Sequence, residues 1–188
     1  MAGFQRHVSD GRFGNSSLDA WNLRTRLRYN VSDRFNISLT DFYTKTINGL
    51  NGGVDLANTS TVFDNVSALV KNGSSSETVA RRDLTLSMIG NLFEDSTSST
   101  QLSLSYSTLE REYRDPAIAL DDIQNSSGMG TRFTQTVSGG VWNALIGFDH
   151  QLQKSNSKSI GEHSYSITAL FGNITMHLGS LLTPSFFA

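Results

Sequence analysis

Residues 21–29 read Trp-Asn-Leu-Arg-Thr-Arg-Leu-Arg-Tyr, and their order decides the fold class. Trp21, Leu23, Thr25, Leu27 and Tyr29 alternate with Asn22, Arg24, Arg26 and Arg28. A period of two belongs to a β-strand, whose successive side chains leave opposite faces of a sheet, here one greasy and one polar. Residues 30–34, Asn-Val-Ser-Asp-Arg, supply turn formers, after which Phe35, Ile37 and Leu39 alternate with Asn36, Ser38 and Thr40. The two runs read as a tight hairpin.

The same pattern extends down the chain. Leu84, Leu86 and Met88, continuing to Gly90 and Leu92, alternate with Thr85, Ser87 and Ile89; beyond a polar tip at residues 94–99, Leu102, Leu104 and Tyr106 alternate with Ser103, Ser105 and Ser107. Phe133 and Val137 lead through Gly139-Gly140 to Ala144, Ile146 and Phe148, and Tyr165, Ile167, Ala169 and Phe171 form the last run, before residues 179–184. Phe42 and Ile89 fall on the wrong parity, which predicts a bulge or a register slip at each. Between hairpins lie connections rich in Gly, Asn, Ser and Asp, at about residues 46–80, 109–130 and 154–162. Short and long connections thus alternate, as they do in outer-membrane barrels with their short periplasmic turns and longer extracellular loops. Pro116 falls in a long loop and Pro184 in a turn, so neither interrupts a ladder.

Composition points the same way. Only 37% of the 188 residues are hydrophobic and 17% are charged, too little for a thick soluble core with a well-charged surface. Aromatics at 10% and a net charge of −2 argue against disorder, leaving a sheet whose thin apolar face turns toward lipid. A bilayer-spanning helix needs about 20 consecutive apolar residues, and runs such as Ala144-Leu145-Ile146 are far shorter; strands of a barrel need only about 9–11, hidden in alternation. Trp21, Tyr29, Phe35, Tyr43, Phe93, Tyr106, Trp142 and Tyr165 cluster near strand ends, where interfacial girdles sit. The near-neutral balance gives no reason to expect nucleic acid, and the chain has no cysteine for a disulfide or thiolate metal site. Met1-Ala2-Gly3-Phe4-Gln5-Arg6-His7 lacks the basic start and apolar stretch of a secretory signal, as expected of a mature form or an internal piece.

Candidate functional residues are few. Arg24, Arg26 and Arg28 share one face, where they either meet acidic groups and anionic solutes in a lumen or form a solvated, screened strand face. Phe63 and Tyr113 are the loop candidates for ligand contact, against the plainer reading of packing within the loop. His7, His150, His163 and His177 are scattered and lack the spacing of metal ligands. Asp55, Asp64, Asp115, Asp121 and Asp122 belong to the long loops, as solubilising charges or, less simply, calcium ligands. Asn15, Asn36, Asn65 and Asn173 open Asn-x-Ser/Thr triplets of the kind chance supplies in so polar a chain. No nucleophile elbow, phosphate loop or carboxylate pair is present; Gly128-Met129-Gly130 and Gly139-Gly140 read as turns, so an enzyme and a bound cofactor are not expected.

Residues 10–19, Asp-Gly-Arg-Phe-Gly-Asn-Ser-Ser-Leu-Asp, followed by the strand at 21–29, the turn at 30–34 and the stretch Ile47-Asn48-Gly49-Leu50-Asn51-Gly52-Gly53, resemble the early barrel strands of TonB-dependent outer-membrane receptors. That family often shows a Gly-x-x-x-Asn-Ser loop before a strand and a Gly-Leu-Pro-Gly-like loop start; Asn51 here replaces the proline. Residues 81–86, 109–116 and 146–149 resemble the succeeding strands of vitamin B12 and siderophore receptors. The resemblance implies an all-β antiparallel meander of transmembrane strands, about eight or nine over residues 1–188, forming part of an outer-membrane barrel without its plug domain. It further implies uptake of a metal chelate or cofactor, with outer-membrane lipid, the remaining strands and plug of a full-length receptor, and the TonB complex as partners. Two other readings stand beside it: a passive porin or complete eight-stranded barrel, and a soluble β-sandwich for adhesion or carbohydrate binding.

Overall fold

The structure is a computed structural model that describes residues 1–59, 68–91 and 97–176, together with the backbone of 185–187. Phe63, Asp64, Asn65, Leu92, Phe93, Glu94, Asp95, His177, Gly179 and Pro184 lie outside the described residues. Nine strands follow one another: β1 (Ala2–Ser9), β2 (Leu18–Ser32), β3 (Phe35–Gly49), β4 (Ser76–Gly90), β5 (Ser99–Asp115), β6 (Leu120–Ser138), β7 (Trp142–Ser157), β8 (Gly161–Met176) and β9 (Ser185–Phe187). They form a single sheet in sequence order, every neighbouring pair antiparallel. The fold is therefore the expected all-β meander. Among the described residues β1 pairs only with β2, so the sheet is open and the reading of a complete eight-stranded barrel is not realised.

The registers put the alternating residues in rows. Leu27 pairs with Leu39, Leu39 with Leu86, Leu86 with Leu104, and Tyr29, Ile37, Met88, Leu102, Phe133 and Phe148 make the next row. One face of the sheet is thus apolar, and the other carries Arg24, Thr40, Thr85, Ser103, Arg132 and their neighbours. No second layer covers the apolar face: Leu27 is 59% exposed, Leu104 40% and Ile146 63%, while Ala68, in a loop, is the one buried hydrophobic residue described. A sandwich must bury its apolar faces against each other, and the described residues supply no such partner layer.

Several expectations need correction. Residues 109–130 are not a long loop: β5 runs on to Asp115, a 3-10 turn at Pro116–Ile118 follows, and β6 begins at Leu120. Likewise β7 reaches Ser157 and β8 starts at Gly161. Tyr113, Asp121 and Asp122 therefore stand in strands, and Asp115 ends one. The polar continuations Glu110, Glu112 and Arg114 gave no hydrophobic alternation to read, yet their backbone pairing is continuous with the apolar part. Only the connection from 50 to 75 is long. Phe42 and Ile89 sit on the polar face in regular register, without a bulge; the irregularity between β2 and β3 falls instead at Asn30/Ser32. β1, with only Phe4 and Val8 to mark its greasy face, was not foreseen as a strand.

The last run is also inverted. Tyr165, Ile167, Ala169 and Phe171 pair with Gln153, Gln151, Asp149 and Gly147 on the polar face, whereas Leu170 and Ile174 join the apolar one through Phe148 and Ala144. In β8 both parities carry apolar residues, so periodicity alone picked the wrong face.

Close packing at the turns is visible at Gly90, where a Cβ would lie 2.9 Å from the Arg34 carbonyl oxygen and 2.7 Å from the Phe35 ring. Gly90→Ala should destabilise the β3–β4 hairpin by about 1–3 kcal/mol, read as a lower denaturation midpoint of the chain refolded in detergent; an unchanged midpoint would contradict this packing.

Candidate functional site

The polar face is built by default. Any strand that turns its leucines one way turns the intervening residues the other, and Arg24, Arg26 and Arg28 follow from Leu23, Leu27 and Tyr29. They stand opposite Phe42, Thr40 and Ser38 of β3. The Arg24 guanidinium lies 4.7 Å from the centre of the Phe42 ring, a cation–π contact that accounts for the aromatic on this face.

The other arginines of the face are neutralised within the sheet. Arg81 holds Asp83 through Nε at 2.7 Å, Arg111 holds Glu77 at 2.5 Å, and Arg132 donates to Asp149. These exposed pairs are worth little stability individually. Their consequence is electrostatic: among them the Arg81 pair occupies Asp83, which stands in the same row as Arg24 through Phe42.

Tyr113 lies far from that track. It shares a row with Glu77 and Asn48, and Asn48 pairs with Leu18 at the opposite end of β2, about 20 Å from Arg24 at ~3.3 Å per residue. There it lines a cavity of about 470 Å³ with Arg111, Asp122, Gln124, Lys158 and Ser159. Ser159 Oγ donates to Asp122 Oδ2 at 2.9 Å, whereas the buried Asp122 Oδ1 has no partner. The structure therefore separates the sequence candidates into a cationic track and a polar pocket at the loop end, and does not bring them together. Phe63 is outside the described residues.

The loop end is held by a network that residue patterns only hinted at. Asn15, at φ 50°, donates through Nδ2 to the carbonyls of Leu50 (3.1 Å), Asn72 (3.3 Å) and Ser75 (2.8 Å). Asn72 Nδ2 donates onward to Asp115 Oδ2 at 2.8 Å, and Asp115 Oδ1 accepts the Ala117 amide of the 3-10 turn. Two amide side chains, Asn15 and Asn72, thus tie three connections together, with Ser75 and Asp115 buried beneath them. The Gly11-x-x-x-Asn15-Ser16 spacing acquires a physical meaning here. Gly11 adopts φ 75°, and a Cβ on it would strike Ser16, whose hydroxyl accepts the Phe13 amide at 3.1 Å.

The scattered histidines stay apart. His150 stacks on Phe148 with ring centres 6.3 Å apart, and His163 Nε2 lies 2.9 Å from the Ile160 carbonyl. Among the described residues no group of three or more His, Asp or Glu is placed to hold a metal ion. Asp55 instead organises its own loop, accepting from Asn58 Nδ2 at 2.6 Å and from the Ala57 amide at 3.1 Å. The Asn58 hydrogen bond, followed by the backbone donors, holds its carboxyl below the ordinary value of 3.8.

Asn15→Ala should leave three carbonyls with one fewer donor each and cost about 1–3 kcal/mol. Hydrogen exchange at the Leu50 and Asn72 amides, which bond Ser75 and Asn51 across the loop, should accelerate; unchanged protection would show that the clamp is dispensable. Because the Asp55 carboxylate is favoured by folding, its contribution is complete above the ordinary pKa and is lost as pH falls through the lowered one. The Asn58 side-chain amide resonances should accordingly titrate with a midpoint below 3.8.

No family model matches the chain, and no curated protein does. Among solved structures, the unliganded crystal structure of the ferric citrate transporter FecA is similar at 15% identity and a TM-score of 0.41. The likeness covers 87% of this chain and 25% of that one, so the chain spans about a quarter of its length.

Proposed function

We propose that this chain is part of the wall of an outer-membrane β-barrel, with the apolar face against lipid and the polar face toward a water-filled lumen. The observation that carries the reading is the slope of the apolar band. On β2 the greasy residues centre on Thr25; on β4 and β5 they centre on Leu86 and Leu104, level with Leu27; on β7 they centre on Ile146, level with Gly90 and Phe35. The band slips by about one residue per strand, which at ~3.3 Å per residue and ~4.8 Å between strands is a tilt of about 35–40°. Barrel strands tilt by a similar angle, because closing a sheet requires a staggered register. A band level in the membrane must then run obliquely across the hydrogen-bonded rows.

The rest of the apolar face fits a bilayer boundary. Tyr29, Phe35 and Trp142 fringe the band at the short-turn end, and Trp21, Tyr43 and Tyr106 at the other; Tyr165, on the polar face, is not part of the fringe. Beyond them the same face turns to Lys45, Glu110, Glu112 and Lys154, where water is needed, while Asp41, opposite Thr25 inside the fringe, is neutralised by Arg82 at 2.8 Å. Each exposed leucine would cost about 1.5–3 kcal/mol in water relative to an apolar surrounding, which makes a bilayer the economical solvent. No helix among the described residues is long and apolar enough to cross a membrane, which says nothing of strands.

Within that reading we assign the chain to a TonB-dependent receptor that takes up a metal chelate or cofactor, on the strength of the sequence resemblance at residues 10–53. The plug, the further strands and the TonB complex are its proposed partners, and the polar face with Arg24, Arg26, Arg28 and Tyr113 its proposed solute-facing surface. No catalytic role is proposed.

The absence of cysteine makes the location directly testable. Single cysteines replacing Leu86, Leu104 and Ile146, labelled with a fluorophore in reconstituted bilayers, should be quenched by brominated acyl chains. Labels at Ser87, Ser103 and Lys154 should respond only to a water-soluble quencher. Equal aqueous quenching on both faces would sink the membrane reading.

A further inference from the structure

Beyond the apolar band, on the same face of the sheet, the side chains change character in a fixed order. Leu84, Tyr106, Met129 and Leu152 form the last greasy row. Two residues further along the strands the row reads Tyr43, Arg82, Thr108, Ser127, Lys154 and Ser164. The row after that reads Lys45, Ala80, Glu110, Asn125, Asn156 and Glu162. These two rows border a cavity of about 550 Å³, whose lining includes Arg82, Thr108, Ser127 and Lys154 on the side of the band and Glu110 and Glu162 on the far side.

Around the cavity, cations and hydroxyls therefore come first and carboxylates second, about 7 Å further from the band. Arg82 is held by Asp41 at 2.8 Å. Lys154 is joined to no carboxylate among the described residues, although Glu162 is its diagonal neighbour across β7 and β8. Diagonal pairs close elsewhere in the sheet, Arg82 on Asp41 and Arg111 on Glu77. Lys154 and Glu162 instead border the cavity as an open pair, on positions about 7–8 Å apart. A ligand that satisfies both rows carries an anion toward the band and a cation away from it. A phosphate suits the nearer row, where an ammonium and two hydroxyls can donate to its oxygens. A primary ammonium suits the farther one, because it donates hydrogen bonds to carboxylates and a quaternary ammonium cannot.

We propose that this cavity seats the headgroup of a phosphoethanolamine lipid, its phosphate on Lys154, Thr108 and Ser127 and its ammonium on Glu110 and Glu162. This rests on acyl chains covering the apolar face, as the barrel reading holds. A lipid whose tails lie along Leu104, Met129 and Leu152 carries its phosphate to the next row and its amine to the one beyond, which is the order of the side chains. Free O-phosphoethanolamine bears the same charges without the tails; the lipid is the occupant we assign, because the cavity is continuous with the greasy band.

The test reconstitutes the full chain in vesicles of dioleoyl phosphatidylcholine, phosphatidylethanolamine and phosphatidylglycerol in equal amounts, extracts it in mild detergent and counts the lipids retained per chain by mass spectrometry. The ethanolamine lipid should be retained about 10-fold over the other two. Lys154→Gln should reduce that retention several-fold. Glu110→Lys with Glu162→Lys should transfer the preference to phosphatidylglycerol, a gain that misfolding does not produce. Free O-phosphoethanolamine should displace the lipid poorly. Equal retention of the three lipids, unchanged retention in Lys154→Gln, or displacement by O-phosphoethanolamine at matching concentration would overturn the proposal while leaving the bilayer quenching pattern at Leu86, Leu104 and Ile146, and hence the barrel reading, intact. Loss of that quenching pattern would overturn both together.

Discussion

A sheet one layer thick has no interior. Its strands pair through the ladder from β1 to β9, and among the described residues no second layer covers Leu27, Leu39, Leu86 and Leu104. That constraint governs everything else about the molecule. It matches the composition of so polar a sequence: along each long strand only alternate residues are apolar, and only over the central part of its length. It also explains why the polar face can be rich in serine, threonine and arginine without a buried charge to compensate.

The two ends of the sheet answer to different requirements. At the short-turn end, β2 passes to β3 through Asp33-Arg34 alone, and Gly90 packs against that turn. At the other end the strands outrun the apolar band and carry ion pairs such as Arg114–Glu112 and Arg6–Asp19 on the face that is apolar lower down. There the fixed points are hydrogen bonds, not greasy contacts: Asn15 gathers three carbonyls, and Asp115 receives Asn72 and caps the following 3-10 turn. The cavity beside Tyr113 lies on this polar extension, its lining drawn mostly from β5 and β6.

Charge on the polar face is patterned by the registers. Arg132 meets Asp149 because β6 and β7 place them directly opposite, and Arg111, opposite Val79, reaches Glu77 on the diagonal across β4 and β5. On β2 the facing residues are Phe42, Thr40 and Ser38, so no carboxylate stands opposite its three arginines. The contrast arises from pairing alone, since nothing in residues 21–29 by itself separates these arginines from those that are neutralised.

Alternation along β2 to β7 was sufficient to determine strand identity, the hairpin order and the parity of most apolar residues, because a sheet side chain has only two directions available. Where the alternation was absent or doubled, the sequence was mute: the polar continuations of β5, β6 and β7 read as loops, and β8, apolar on both parities, was turned the wrong way. The slope of the apolar band, the Asn15 clamp, the isolation of the β2 arginines and the distance between that track and Tyr113 were decided by tertiary structure. Each depends on which residue of one strand stands opposite which residue of the next, and register is a property of the paired sheet that no single strand contains.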